Sequence, residues 1–159
     1  MDPEPAIGHY PFHFSVQFAL RDRHLPSRQQ LRAWAAKALL GPVQAVLRIV
    51  DEEEGLSLNQ GFRSRAYATN VLTFPYGLDD TGSLSGDIAL CWPIVRREAS
   101  AQGKTLKAHC AHLVVHGMLH LQGLDHIKSS EAAEMEALET QILSEMGFPN
   151  PYLINDQGT

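Results

Sequence analysis

The stretch His116-Gly117-Met118-Leu119-His120-Leu121-Gln122-Gly123-Leu124-Asp125-His126 carries three imidazoles at metal-ligand spacing. Residues four apart on an α-helix differ by about 40° of rotation and roughly 6 Å of rise, so His116 and His120 share one face. Gly123 can end the helix in a left-handed conformation, and His126 can then fold back toward the other two rings. Three protein ligands with an open fourth position are typical of a catalytic zinc. The stretch therefore predicts one Zn²⁺ per chain, bound by these three histidines.

The spacing of the three histidines equals that of H-E-x-x-H-x-x-G-x-x-H, the zinc-binding motif of metzincin peptidases. That motif places its general base, a glutamate, after the first histidine, and this chain has Gly117 there. A zinc metallopeptidase is therefore the weaker alternative and would need a carboxylate from elsewhere. Gly117 itself has two interpretations, which are close packing of the helix and room for a substrate beside the metal.

The other histidines are not expected to bind this ion. His112 lies eight residues before His120, roughly 12 Å along the helix axis, and two nitrogens that far apart cannot share a zinc with bonds of about 2.0–2.1 Å. His112 is predicted either to support a ligand or to line the cleft. A surface position or an internal hydrogen bond is the simpler interpretation for the rest, which are His9, His13, His24 and His109.

Length and composition favour one domain with a hydrophobic core. The chain has 159 residues, of which 44% are hydrophobic, and we expect a single domain over residues 1–159. No apolar run approaches the ~20 residues needed to cross a bilayer, and the acidic start does not resemble a signal peptide. We therefore predict a cytoplasmic protein with no membrane association. Cys91 and Cys110 form no C-x-x-C pair, so free thiols are expected.

The net charge of −5 does not indicate a surface built for nucleic acid. Thirteen lysines and arginines suit docking to a protein partner better than gripping a long RNA unaided. No DNA binding is expected. Any anionic substrate would need a local basic group, and a bound zinc would add positive charge that the sequence count omits.

Periodicity and capping residues predict an α+β domain, with a small mixed β-sheet, helices packed against it and the metal site on a buried helix. The predicted strands are 12–20, 43–50, 71–74 and 87–92. The predicted helices are 28–40 with Ser27 as N-cap, 93–102, 105–122 and 131–146. Between them, 51–55 is predicted as a charged turn, 77–86 as a loop, and 56–62 is left undecided. Helix 105–122 is apolar nearly all round and should be buried.

Three segments of the chain resemble the YbeY family of bacterial ribosomal RNA maturation factors, over residues 45–152. The first, SLNQGFR at 57–63, continues to VLTF at 71–74 and is similar to the family pattern L-N-x-x-[YF]-R followed by T-D-V-L-S-F. The second is Gly86-Asp87-Ile88. The third, AHLVVHGMLHLQGLDH at 111–126, is nearly the whole family signature and is the most specific. The chain departs from the pattern at Asn70, where Asp is usual, and at Leu124, where Tyr is usual.

The resemblance implies a zinc held by His116, His120 and His126 in a metal-dependent endoribonuclease. It also implies cleavage of single-stranded RNA, maturation of the 3′ end of small-subunit (16S) ribosomal RNA, ribosome quality control, and partners among ribosomal RNA and ribosomal proteins. Arg63 matches the functional arginine of the family and would clamp a phosphate. A non-catalytic ribosome assembly factor, stabilised by zinc, is the remaining alternative.

The sequence does not decide the roles of two acidic residues, the general base or the nucleophile. Asp87 either orients Arg63 or a water, or caps the start of a strand. Asp125 either supports a ligand or makes a local turn hydrogen bond, with the turn slightly favoured. No residue emerges as the general base, and the nucleophile is either metal-bound water or the 2′-hydroxyl of the RNA.

Overall fold

A four-stranded mixed β-sheet with helices against it forms the fold, as predicted. The computed structural model describes residues 10–63, 69–124 and 129–153. The strands are β1 (Phe12–Phe18), β2 (Val43–Val50), β3 (Val71–Leu78) and β4 (Leu84–Cys91). The helices are α1 (Arg28–Ala36), α2 (Glu52–Arg63), α3 (Trp92–Ala101), α4 (Leu106–Leu121) and α5 (Ser129–Glu145). Within the described ranges, no helix has both the length and the apolarity to cross a bilayer.

Three neighbouring strands run parallel, and the fourth lies at the edge and pairs with one of them antiparallel. The order is β1-β2-β4-β3, with β1 and β4 both parallel to β2 and with β3 antiparallel to β4. Parallel neighbours need a crossover connection, which α1 supplies between β1 and β2. β3 and β4 form a hairpin whose turn is held by Asp79, since its Oδ1 accepts from the N–H groups of Thr81 and Ser83. The predicted loop 77–86 is therefore wrong at both ends, because the strands extend into it.

Helix α1 begins where its capping residues predict. The Ser27 hydroxyl accepts a hydrogen bond from the N–H of Gln30 at 3.1 Å, and the Gln30 side chain accepts one from the N–H of Ser27 in return. This reciprocal pair satisfies two backbone donors that the first helical turn leaves unpaired. The same helix ends earlier than predicted, at Ala36.

Helix α2 resolves the undecided segment 56–62 and overturns the predicted turn 51–55. The helix starts at Glu52, and Asp51 precedes it, with Oδ1 accepting from the N–H of Glu54 at 2.8 Å. The acidic residues that suggested a turn form the first helical turn, where the positive end of the helix dipole stabilises them.

Helix α4 lies at the centre of the core and packs closely on the sheet. Ten of its sixteen residues are buried, as the apolar sequence predicts. A Cβ at Gly117 would lie 3.2 Å from Ile88 Cγ2 and 3.3 Å from Val71 Cγ2. A Cβ at Gly86 would lie 2.5 Å from Leu121 Cδ1. These two glycines let the backbone of α4 approach β3 and β4, and the packing interpretation of Gly117 is the one that the structure supports.

Candidate metal centre

Two imidazole rings lie parallel on one face of α4. The centroids of His116 and His120 are 6.2 Å apart, and the angle between the ring planes is 4°. His116 Nδ1 lies 2.6 Å from Glu139 Oε2, and His120 Nδ1 lies 2.6 Å from Thr73 Oγ1. Because a neighbour holds Nδ1 of each ring, Nε2 is the nitrogen that each ring offers to a metal ion. The sequence spacing predicted this pairing of rings.

Helix α4 stops directly after this pair. Gly123 has a φ of 106°, and the N–H of Leu124 donates to the carbonyl group of Leu119 at 3.1 Å. This is a left-handed helix stop of the Schellman type, and Gly123 was predicted to supply it. His126, the predicted third ligand, and Asp125 follow the stop and lie outside the described residues, so their roles stay predictions.

A buried carboxylate joins two histidines of α4 to the C-terminal segment. Glu139 of α5 is 0% exposed. Its Oε1 lies 2.9 Å from His112 Nε2, its Oε2 contacts His116, and the hydroxyl of Tyr152 donates to Oε1. Burial by itself raises the pKa of Glu139, but the hydrogen bonds from these three partners outweigh burial and lower the pKa to about 2. Glu139 is therefore ionised at neutral pH and accepts hydrogen bonds only.

The chemistry of this site fits a transition metal. The ligand atoms of His112, His116 and Glu139 all lie within 4.8 Å of one another, the spacing of a possible metal site, and among the described residues this is the group of three that meets it. Imidazole nitrogen and carboxylate oxygen are ligands that zinc accepts, and nitrogen donors also suit nickel and copper. His120 adds a further imidazole one turn along the same helix. The residues therefore fit a metal ion bound beside the C-terminal half of α4.

A cavity of about 520 Å³ opens beside Thr73, the residue that holds the second imidazole. One wall carries Arg48 and Glu54, which neutralise each other in an ion pair with an N–O distance of 2.5 Å. Another wall carries Tyr76, whose hydroxyl donates to Asp87 Oδ2 at 2.6 Å. The Tyr76 residue is 66% exposed. The Tyr76–Asp87 pair lies on the sheet face opposite α4, because Thr73 faces α4 and successive side chains of a strand alternate between the two faces. The exposed ring offers a surface on which a nucleic-acid base can stack.

The structure changes the interpretation of Asp87 and does not test the predicted role of Arg63. β4 begins at Leu84, so Asp87 lies within the strand and the interpretation of Asp87 as a strand-start cap is wrong. Arg63 is the last residue of α2. Its side chain lies outside the described atoms, so a contact between Arg63 and Asp87 stays a prediction.

Three of the four remaining histidines behave as the simpler interpretation expects. His13 and His24 are exposed. His109 is buried, and its Nε2 lies 2.9 Å from Glu98 Oε1. His9 lies outside the described residues.

The departure from the family pattern at Asn70 has a local reason. The Asn70 side-chain amide donates to the two carboxylate oxygens of Glu98 at 3.0 and 3.3 Å. An ionised aspartate cannot donate a hydrogen bond and would place a second negative charge beside Glu98. The amide therefore matches the carboxylate that this chain carries.

The groups that hold the imidazoles were missed from the sequence, and they are Thr73, Glu139 and Tyr152. One of them had a detectable signal. Glu139 lies four residues after Met135 and three before Ile142, both buried, so it falls on the apolar stripe of α5. A carboxylate in such a position needs hydrogen-bond partners. The prediction that His112 supports a ligand agrees with its contact to the carboxylate that holds His116.

Gly117 argues against the peptidase alternative. Its missing Cβ faces methyl groups of Ile88 and Val71, which are β-sheet residues. A glutamate at this position would direct its side chain into apolar packing, at the cost of burying a charge. The histidines therefore have the sequence spacing of the metzincin motif, but the packing around position 117 leaves no room for the glutamate that acts as its general base.

The mixed sheet, the buried helix with its paired imidazoles and the buried supporting carboxylate define an α+β protein with a possible metal site built on histidines. A family model described as Endoribonuclease YbeY matches residues 23–147. The chain belongs to this family. These matches confirm the predicted family, the predicted α+β fold and the predicted class of metal-dependent nuclease.

Relatives agree with the family model, and a solved structure shares the fold. The chain is 50% identical over 140 residues to Endoribonuclease YbeY of Nitrosomonas europaea, a match that covers 88% of this chain and 84% of that protein. It is 54% identical over 127 residues to the protein of the same name from Aromatoleum aromaticum, covering 80% and 81%. A solution structure of a Thermotoga maritima protein matches 93% of this chain and 99% of its own, with a TM-score of 0.52 and 25% identity.

Proposed function

We propose that this chain is a zinc-dependent, single-strand-specific endoribonuclease that acts in 16S ribosomal RNA 3′-end maturation and ribosome quality control. One Zn²⁺ per chain would be held by His116, His120 and His126. The observation that carries the proposal is the parallel pair of α4 imidazoles, each held at Nδ1 by a neighbour. This arrangement is typical of histidines that ligate a metal through Nε2.

The chain's own residues would bind and orient the RNA. When bound, zinc supplies Lewis-acid polarisation of a phosphodiester oxygen and lowers the pKa of a water ligand. Arg63 would clamp the phosphate, because a guanidinium group forks onto two phosphate oxygens. Thr73 and Glu139 would keep the two described imidazoles in place.

Single-strand specificity is supported by an exposed aromatic ring in the cavity on the sheet face opposite α4. Single-stranded RNA presents unpaired bases that stack on aromatic side chains, and the exposed ring of Tyr76 lines this cavity. The wall formed by Arg48 and Glu54 carries little net charge, because the two residues form an ion pair.

The ribosome is the proposed setting, and residues 1–159 would form one catalytic domain. The relatives named above are endoribonucleases, and the chain's net charge of −5 suits docking to a protein partner. Ribosomal proteins and ribosomal RNA would provide that partner and the substrate. Such a role would place the chain in the cytoplasm.

Metal removal tests the proposal directly. After chelation, we expect cleavage of a single-stranded RNA to fall at least about 100-fold, because the reaction loses its electrophile, and to return when Zn²⁺ is added. Duplex RNA of the same sequence is the control substrate and should be cleaved slowly throughout. Circular dichroism of the chelated protein should keep its helical signal. Full activity after verified zinc removal would contradict the proposal, and unfolding on chelation would instead indicate a structural zinc.

A further inference from the structure

Glu139 links a predicted metal ligand to a second histidine of the same helix and to a tyrosine of the C-terminal segment. Its two oxygens contact His116 on α4, His112 one turn earlier on the same helix, and the Tyr152 hydroxyl in the C-terminal segment. The carboxylate is 0% exposed, while the side chains of His112 and His116 are 12% and 24% exposed. The carboxylate therefore lies behind the imidazoles as seen from solvent.

We propose that Glu139 is the positioning residue of the metal centre, holding His116 in the tautomer with the proton on Nδ1 so that Nε2 is presented to the metal. The inference rests on the proposed function, since it takes His116 as a ligand. An ionised carboxylate accepts hydrogen bonds but donates none. The 2.6 Å contact between His116 Nδ1 and Glu139 Oε2 therefore needs a proton on Nδ1.

The second oxygen of Glu139 is fixed in the same way. Oε1 accepts from His112 Nε2 at 2.9 Å and from the hydroxyl of Tyr152. A buried charge is unfavourable unless it is paired and hydrogen-bonded, and here three donors from two elements surround it. This anchoring restrains the carboxylate, which in turn restrains the His116 ring. Hydrogen bonds of this kind also raise the basicity of the ligating nitrogen.

A direct bond between Glu139 and the metal is the competing interpretation of the same cluster. It would require the ion to lie among His112, His116 and Glu139, whose ligand atoms are within 4.8 Å of one another. In that case His116 would bind through Nδ1 and lose its hydrogen bond to Glu139. His120 would then have no part in the site, although Thr73 contacts its Nδ1 and leaves Nε2 for a metal. The geometry favours the positioning role.

The test compares Glu139→Gln with Glu134→Gln, an exposed glutamate of the same helix. Glutamine keeps the shape of the side chain but has a single accepting oxygen. It therefore cannot replace both carboxylate oxygens, one of which contacts His112 and the other His116. We expect zinc affinity, measured against a chromophoric chelator, to fall about 10- to 100-fold in Glu139→Gln and to stay within about twofold in the control. The visible spectrum of the Co²⁺-loaded variant should remain tetrahedral in form.

Two further measurements separate the possible outcomes. In wild-type protein, a long-range ¹H–¹⁵N spectrum should assign the His116 proton to Nδ1 both with and without zinc, which decides the inference even if Glu139→Gln fails to fold. A proton on Nε2, or unchanged zinc affinity in a folded Glu139→Gln variant, would overturn it. His116→Ala is the reference variant: if it too binds zinc normally, the proposed metal centre itself is wrong, whereas if only Glu139→Gln is normal, the positioning role alone fails.

Discussion

Replacing His116 with alanine should abolish RNA cleavage and reduce the zinc content from about one ion per chain to nearly none. His120→Ala should do the same. We expect the cleavage rate to fall at least about 10³-fold, equivalent to about 4 kcal/mol of barrier, because the metal would stabilise charge that develops on the phosphodiester. Zinc is measured by plasma mass spectrometry, and cleavage is measured on a labelled single-stranded RNA. Circular dichroism checks that each variant is folded.

His112→Ala separates the two possible donor sets. If the three-histidine site is correct, this variant keeps its zinc with affinity reduced about 10-fold at most, whereas His120→Ala loses the ion. If the ion is instead held by His112, His116 and Glu139, the two results are exchanged. His24→Ala removes an exposed imidazole and should leave both zinc content and cleavage unchanged.

Replacing Arg63 with alanine should slow cleavage about 10²- to 10³-fold while zinc content stays the same, because the variant loses a charged donor to the phosphate and no metal ligand. Arg63→Lys should recover only part of the loss, since an ammonium group is a point charge and cannot fork onto two oxygens. The values of kcat and KM for single-stranded RNA, together with the zinc content, provide the measurement.

Arg97→Ala is a matched control for the loss of one positive charge. Arg97 pairs with Glu52 at an N–O distance of 3.0 Å, and its side chain is 61% exposed. Exposed pairs of this kind contribute little, so cleavage by Arg97→Ala should match that of the parent. Cleavage by a folded Arg63→Ala within about threefold of the parent rate would contradict the proposed role of Arg63.

Sequence patterns predicted much of the fold, because features such as a helix cap or an apolar strand depend mainly on residues that are neighbours in the sequence. The N-cap at Ser27 and the apolar strand Val43–Val50 both appear as predicted. The hairpin strands extend beyond the prediction because pairing between β3 and β4 continues through residues with weak strand preference, such as Gly77 and Ser85. The start of α2 was missed for a similar reason, since Glu52 to Glu54 suit either a turn or the first turn of a helix.

The metal centre was predictable only where its residues are neighbours on one helix. The four-residue spacing of His116 and His120 determines their common face. The supporting groups are far away in sequence, since Thr73 precedes His120 by 47 residues and Glu139 follows His116 by 23. Their contacts depend on how α4 packs against β3 and α5, and a spacing rule within one element carries no information about that packing.

In the proposed site, three imidazoles hold one divalent ion and leave one coordination place for solvent or substrate. X-ray absorption at the zinc edge of the purified, zinc-loaded protein can count these ligands. We predict three histidine nitrogens and one oxygen at about 2.0–2.1 Å in a four-coordinate site, with one nitrogen lost in His126→Ala. A spectrum with two histidines and a carboxylate that is unchanged in His126→Ala would contradict the claim.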